Sequence, residues 1–251
     1  MNTTLTALIV FGCLSGAVLL GRIFRRLLPE HHLTADSRDT IKLAMGLVAT
    51  MAALVLGLLV SSAKGSYDSE RSEVIQMAAK VAFLDRVLAV YGPEAAEARA
   101  RFHEAVKAVI GQMWPEQARQ PGKLAPNMQA GNAVYATVQD LSPHDDMQRK
   151  LKEEATTVAT DLGQLRSLLV AQSVPSISIP MLIILVSWLV VIFLGFSVLA
   201  PPNATTILAL MVSALAVSGA IFLILELDEP FGGLIRISSQ PMLNALHQLA
   251  H

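Results

Sequence analysis

The sequence predicts an all-α membrane protein: four transmembrane helices with a helical extramembrane domain between helices two and three. Three observations predict it. The first is composition, 53% hydrophobic and only 16% charged over 251 residues, against roughly 25% charged in a typical soluble domain. The second is charge placement. Met1 to Gly21 and Leu43 to Ala63 contain no Asp, Glu, Lys or Arg, and Ser167 to Leu225 runs 59 residues without one. The third is the converse: residues 64–166 hold 13 of the 19 basic and 14 of the 20 acidic side chains. A crossing helix needs about 20 apolar residues, so the two shorter windows supply one span each and the longest supplies two.

The first span is expected from about Leu5 to Phe24, ending on Arg22, Arg25 and Arg26. It lacks the basic start and small-residue cleavage site of a signal peptide and is read as a permanent helix. The second begins near Ile41 and leaves the membrane around Ser61 to Lys64. Ala200-Pro201-Pro202-Asn203 divides the long window into spans at about Met181–Leu199 and Thr205–Leu225, since two prolines and an asparagine break a helix. The fourth stops where Glu226, Asp228, Glu229, Pro230 and two glycines coincide.

Helical periodicity continues between spans two and three. Val74, Met77, Val81, Leu84, Leu88 and Tyr91 recur at alternating steps of three and four, the seam of one helix packed on another. No breaker other than Gly65 separates this seam from span two, so one helix is expected from Ile41 to Tyr91. Gly92-Pro93 ends it. A second helix, about Glu94 to Met113, gathers Ala95, Ala98, Phe102, Val106, Val109 and Met113 on one face. An irregular stretch with Pro115, Pro121, Gly122 and Pro126 precedes a short helix around Met128–Leu141. Ser142-Pro143, with Asp145 following, resembles a capped helix start. The helix it opens carries Met147, Leu151, Ala155, Val158, Leu162, Leu165 and Leu169 on one face. The expected division is membrane helices in 1–63, the helical domain in 64–177, membrane helices in 178–228 and a short amphipathic tail in 229–251.

Orientation follows the basic residues. Arg22, Arg25, Arg26, Arg38 and Lys42 flank the first loop, against Lys64, Arg71, Arg166 and Arg236 on the opposite side. Five against four places the loop in the cytoplasm and the helical domain on the non-cytoplasmic side.

No residue pattern points to an enzyme or a cofactor. Nucleophile elbow, phosphate loop and zinc-helix signatures are absent from the sequence. Cys13, the single cysteine, falls within the first span. His31 and His32, near Glu30 and Asp36, are adjacent rather than spaced as metal ligands are, and read as a solvated loop. No metal site, catalytic residue or cofactor is expected. The nearly neutral domain argues against nucleic acid as a partner.

Two groups of residues carry the functional reading. Ala49, Ala53, Gly57 and Ser61 recur every four residues along span two and lead to Gly65. Gly12 and Gly16 in the first span, and Ala209/Ser213 and Ala216/Ala220 in the fourth, repeat the spacing. Small rows let helix backbones approach closely; packing within one subunit is the plain meaning, and lining a pore or a subunit contact the sharper one. The second group is a membrane-exit charge cluster: Lys64, Asp68 and Arg71 beyond span two, and Glu226, Asp228 and Glu229 beyond span four. It reads either as a salt-bridge network fixing helix ends or as a charged ring at a conduit mouth, since such rings select ions.

The runs LGLLVSSAKGSYDSE, LDRVLAVYGPEAAEAR, LSPHDDMQR and RRLLPEHHL resemble those of a bacterial membrane protein family described as bestrophin-like. The block from APPNATTILAL through LELDEPFGGLIRIS to SSQPMLNAL is the most specific part. Bestrophins proper are pentameric anion channels with four membrane helices and a cytosolic helical region between helices two and three. The resemblance implies residence in the bacterial inner membrane, the lipid bilayer and further copies of the chain as partners, and small ions as cargo. It implies a pentamer only by analogy, and its cytosolic domain opposes the charge count. The alternative is a non-conducting scaffold or sensor whose helical domain binds a partner.

Overall fold

The computed structural model describes residues 2–27, 34–115, 129–172, 177–201 and 203–249. The loop with His31 and His32, the irregular stretch 116–128, and Pro175 and Pro202 lie outside the described residues. Among the described residues eight α-helices, α1 (Thr3–Leu27), α2 (Ala35–Tyr91), α3 (Ala96–Met113), α4 (Gln129–Gln139), α5 (Asp146–Gln172), α6 (Ile179–Leu199), α7 (Ala204–Leu227) and α8 (Gln240–Leu249), follow one another. A 3-10 turn, Pro93–Ala95, leads into α3. No strand occurs among the described residues. Helices α1, α2, α6 and α7 are long and apolar enough to cross a membrane, and each begins before its expected start.

The chain divides into two compact units, residues 1–65 with 176–228 and residues 66–175 with 229–251, and α2 contributes to both. In the first unit α1 packs on α6 and α7 around Leu14, Val18, Leu185, Phe193, Ala214 and Ile221. Because α6 and α7 are apolar on every side, hydrophobic periodicity cannot select their contact face; small residues do. A methyl group on Gly21 would lie 2.6 Å from Ser197 Cβ and 2.8 Å from the Leu194 carbonyl oxygen. At that crossing Ser197 Oγ donates to the Val18 carbonyl at 2.5 Å. Gly195 likewise admits Met45, whose Sδ would be 2.5 Å from an added Cβ. These are the close approaches that small residues permit, and they fall at positions the four-residue rows do not include. Gly12 and Gly16, the G-x-x-x-G pair, have open space where a Cβ would be.

The second unit is built on the α2 seam. Val74, Met77, Val81, Leu84, Leu88 and Tyr91 are all buried, facing Ala98, Phe102, Val106 and Met113 of α3 and Ala155, Val158 and Leu169 of α5. The turn after α2 depends on Gly92, whose φ of 122° lies where side chains are rarely tolerated. Helix α5 starts three residues later than Ser142-Pro143 suggests. Asp145 caps it, its Oδ1 accepting the Gln148 N–H at 2.6 Å, while Gln148 Oε1 accepts the His144 N–H at 2.8 Å. The arrangement resembles a capping box with Asp and Gln three apart, except that Gln148 reaches back to the N–H of His144, one residue before the cap. Met147, expected on the buried face, is exposed in the first turn of α5. From the C-terminal segment, Ile237, Met242 and Ala245 join the core of this unit. Trp114 holds the connection, donating Nε1–H to the Ile237 carbonyl at 2.8 Å and meeting the Phe231 ring edge-on at 5.9 Å.

Candidate functional site

Beyond Ala49, which packs against the core of its unit, the small-residue row on α2 is exposed. Ala49 is half-buried, and Ala53, Gly57 and Ser61 are exposed. A Cβ on Gly57 would meet nothing within 4 Å, and the same holds at Gly65. The buried face of this part of α2 is formed by Met45, Ala52, Leu59 and Ala63 instead. Ala49 packs against the core of its unit, whereas Gly57 has open space where a Cβ would be. Helical geometry gives the reason: Ala52, Leu59 and Ala63 step by seven and four, so they share a side of the cylinder that the row does not occupy. In the second unit, α2 also leaves large apolar side chains outside, with Ile75, Phe83 and Val90 each more than 40% exposed.

The charge cluster resolves into residues of different character. Lys64, Asp68 and Arg71 are exposed on α2, and Glu229 is half-buried. Asp228 closes α7, its N–H donating to the Ile224 carbonyl at 3.2 Å. Glu226 is only 1% exposed and accepts a 2.6 Å hydrogen bond from Thr3 Oγ1. This hydrogen bond ties the start of α1 to the end of α7. Ionisable groups inside a membrane bundle are costly and pair with polar partners, and Thr3 is one such partner here. Thr3 carries no signal of this role in the sequence, being one of several threonines before an apolar run.

A polar cluster that the sequence does not reveal links α2 to α3. Asp85, 5% exposed, accepts Arg99 Nε–H at 2.5 Å and Nη2–H at 2.7 Å, with His103 Nε2 at 2.8 Å. Burial pushes the Asp85 carboxyl up, but the hydrogen bonds from Arg99 and His103 outweigh burial and hold it below its ordinary value. Glu73 accepts Gln172 Nε2–H at 2.8 Å, and Lys80 pairs with Asp161 at 2.6 Å, so two further polar contacts join α2 to α5. No group of three or more metal-ligating side chains occurs among the described residues.

The sequence matches the family of the Bestrophin-like domain over residues 12–242. No curated protein matches it. Two crystal structures of a bacterial bestrophin homologue from Klebsiella pneumoniae, each with a different single mutation, share the fold. One gives a TM-score of 0.69 and covers 98% of each chain; the other gives 0.70 and covers 99% of this chain and 97% of its own. Identity is 13% in both, so the likeness is one of fold. Four membrane-length helices, the all-helical architecture and a match across 12–242 converge: this chain belongs to the Bestrophin-like family.

Proposed function

We propose that the chain is the subunit of a homo-oligomeric ion channel, with the α2 face of Ala49, Ala53, Gly57 and Ser61 beside the central axis. The single observation that supports this most is that face itself. A row of small residues whose Ala53, Gly57 and Ser61 are exposed, with open space at Gly57, is suited either to close contact with a neighbouring copy or to keeping a lumen wide. Exposed Ile75, Phe83 and Val90 on the same helix favour self-association, since exposed large apolar side chains in a water-facing domain mark contact surfaces. Membership of the Bestrophin-like family favours the channel over other oligomers. In this reading residues 66–175 and 229–251 form the extramembrane part, inserted chiefly between the second and third spans, and Lys64, Asp68 and Arg71 stand where span two meets water.

Gly57→Phe tests the reading. In reconstituted bilayers the variant should block current and leave assembly unchanged by native mass spectrometry. Overpacking of a helix contact would instead lower stability or dissociate the oligomer. Wild-type protein that is monomeric and silent across salts, pH values and voltages would favour the scaffold reading.

A further inference from the structure

The end of the membrane unit that holds the first loop gathers more positive charge than its acids neutralise. Residues 22–42 contain five basic and three acidic side chains, and Asp39 is taken by Lys42 at 2.9 Å. Two of the arginines converge on the last turn of α6. Arg25 is half-buried and donates Nη1–H to the Val198 carbonyl at 3.5 Å, a long bond that leaves most of its donors uncommitted. Arg38, also half-buried, stands about two turns before Met45 on the same face of α2. Met45 is the side chain that Gly195 admits, and Gly195 lies about one turn before the end of α6. Residues 28–34 alone join the end of α1 to the start of α2, so Arg38 falls beside that same end of α6. Its Nε–H is enclosed and has no acceptor among the described residues. Anchoring a helix end needs only a charge whose head stays in water. A guanidinium N–H shut away from water without an acceptor is costly, and an anion would satisfy it.

We propose that this end of the unit binds the phosphate of an anionic phospholipid between Arg25 and Arg38. Guanidinium suits phosphate because its planar fork offers paired donors to two oxygens at once. Basic pockets between membrane helices are the usual seats of anionic head groups. The source is a lipid rather than a free anion, because hydrocarbon surface begins where the arginines end. Ile23 and Phe24 of α1, Ile41 of α2 and Phe196 of α6 are each at least 40% exposed, and each is close in sequence to Arg25, Arg38 or Val198. Acyl chains can lie against them while the head group stays on the guanidinium groups. None of these residues belongs to the exposed α2 row, so the site stands whether or not the chain conducts.

Native mass spectrometry of the full-length protein in detergent, titrated with phosphatidylglycerol, tests this, with phosphatidylcholine and inorganic phosphate as comparators. Discrete phosphatidylglycerol adducts are expected, at least tenfold tighter than those of phosphatidylcholine, whose head group carries no net charge. Inorganic phosphate in millimolar excess should not displace them. A basic residue beside an anionic surface is worth about fivefold in affinity wherever it lies. Lys42→Gln, which removes a cation already paired with Asp39, should therefore weaken binding by no more than that. Arg38→Gln should weaken it at least tenfold, and Arg25→Gln likewise. Should either arginine variant fail to fold, the lipid comparisons in wild type still decide. Absence of adducts, equal binding of phosphatidylcholine, displacement by inorganic phosphate, or variants at Arg25 and Arg38 that bind no worse than Lys42→Gln would each overturn the proposal.

Discussion

Asp85 joins α2 to α3 through two side chains at once, Arg99 and His103. Its folded carboxyl releases its proton more readily than in the unfolded chain. The stabilisation is therefore complete above the ordinary carboxylate value of about 3.9 and is lost as pH falls through the lower folded value. Asp85→Asn should cost about 1–3 kcal/mol at neutral pH. It should also flatten the acid limb of a plot of Tm against pH. An acid limb as steep as in wild type would show that other carboxylates carry it. Sequence reasoning passes over Asp85 because it interrupts an apolar seam as a single charge, and its partners are 14 and 18 residues away. The same limit applies to Gly21 and Gly195: each is an isolated glycine, and only the helix crossing reveals what it admits.

At the scale of elements, the seam residues of α2 and the charge-free windows are legible because they rest on period and length. Every expected seam residue from Val74 to Tyr91 is buried, and α2 continues unbroken through Gly65. Helix starts are less legible, since several candidate caps can precede one apolar stripe. Ser142-Pro143 has the right composition, but Asp145 has the geometry. Asp145→Ala should accordingly destabilise the unit by about 1 kcal/mol, whereas Ser142→Ala should leave Tm within error. The reverse order would return the cap to Ser142. The meaning of the small rows is illegible for a different reason. Spacing says that a face is small, and only tertiary structure says whether anything lies opposite; at Gly57 none of the described residues comes within 4 Å of where a Cβ would be. The tail was similarly opaque, because Ile237, Met242 and Ala245 gain meaning only as the lid of a core assembled from distant segments.

For the whole molecule, fold and family were within reach of the sequence, while orientation rests on a margin of one basic residue. A cysteine placed at Ser142 in a Cys13→Ser background should label with an impermeant reagent in intact cells if the charge count prevails. Protection until lysis would match the cytosolic arrangement of bestrophins proper. The central claim, that the exposed α2 face borders a conducting axis, is tested most directly by Gly57→Cys in the same background. Current through the reconstituted variant should fall when a bulky, charged thiol reagent is added, and recover on reduction. Complete modification by mass with unchanged current, or no current before modification, would contradict it.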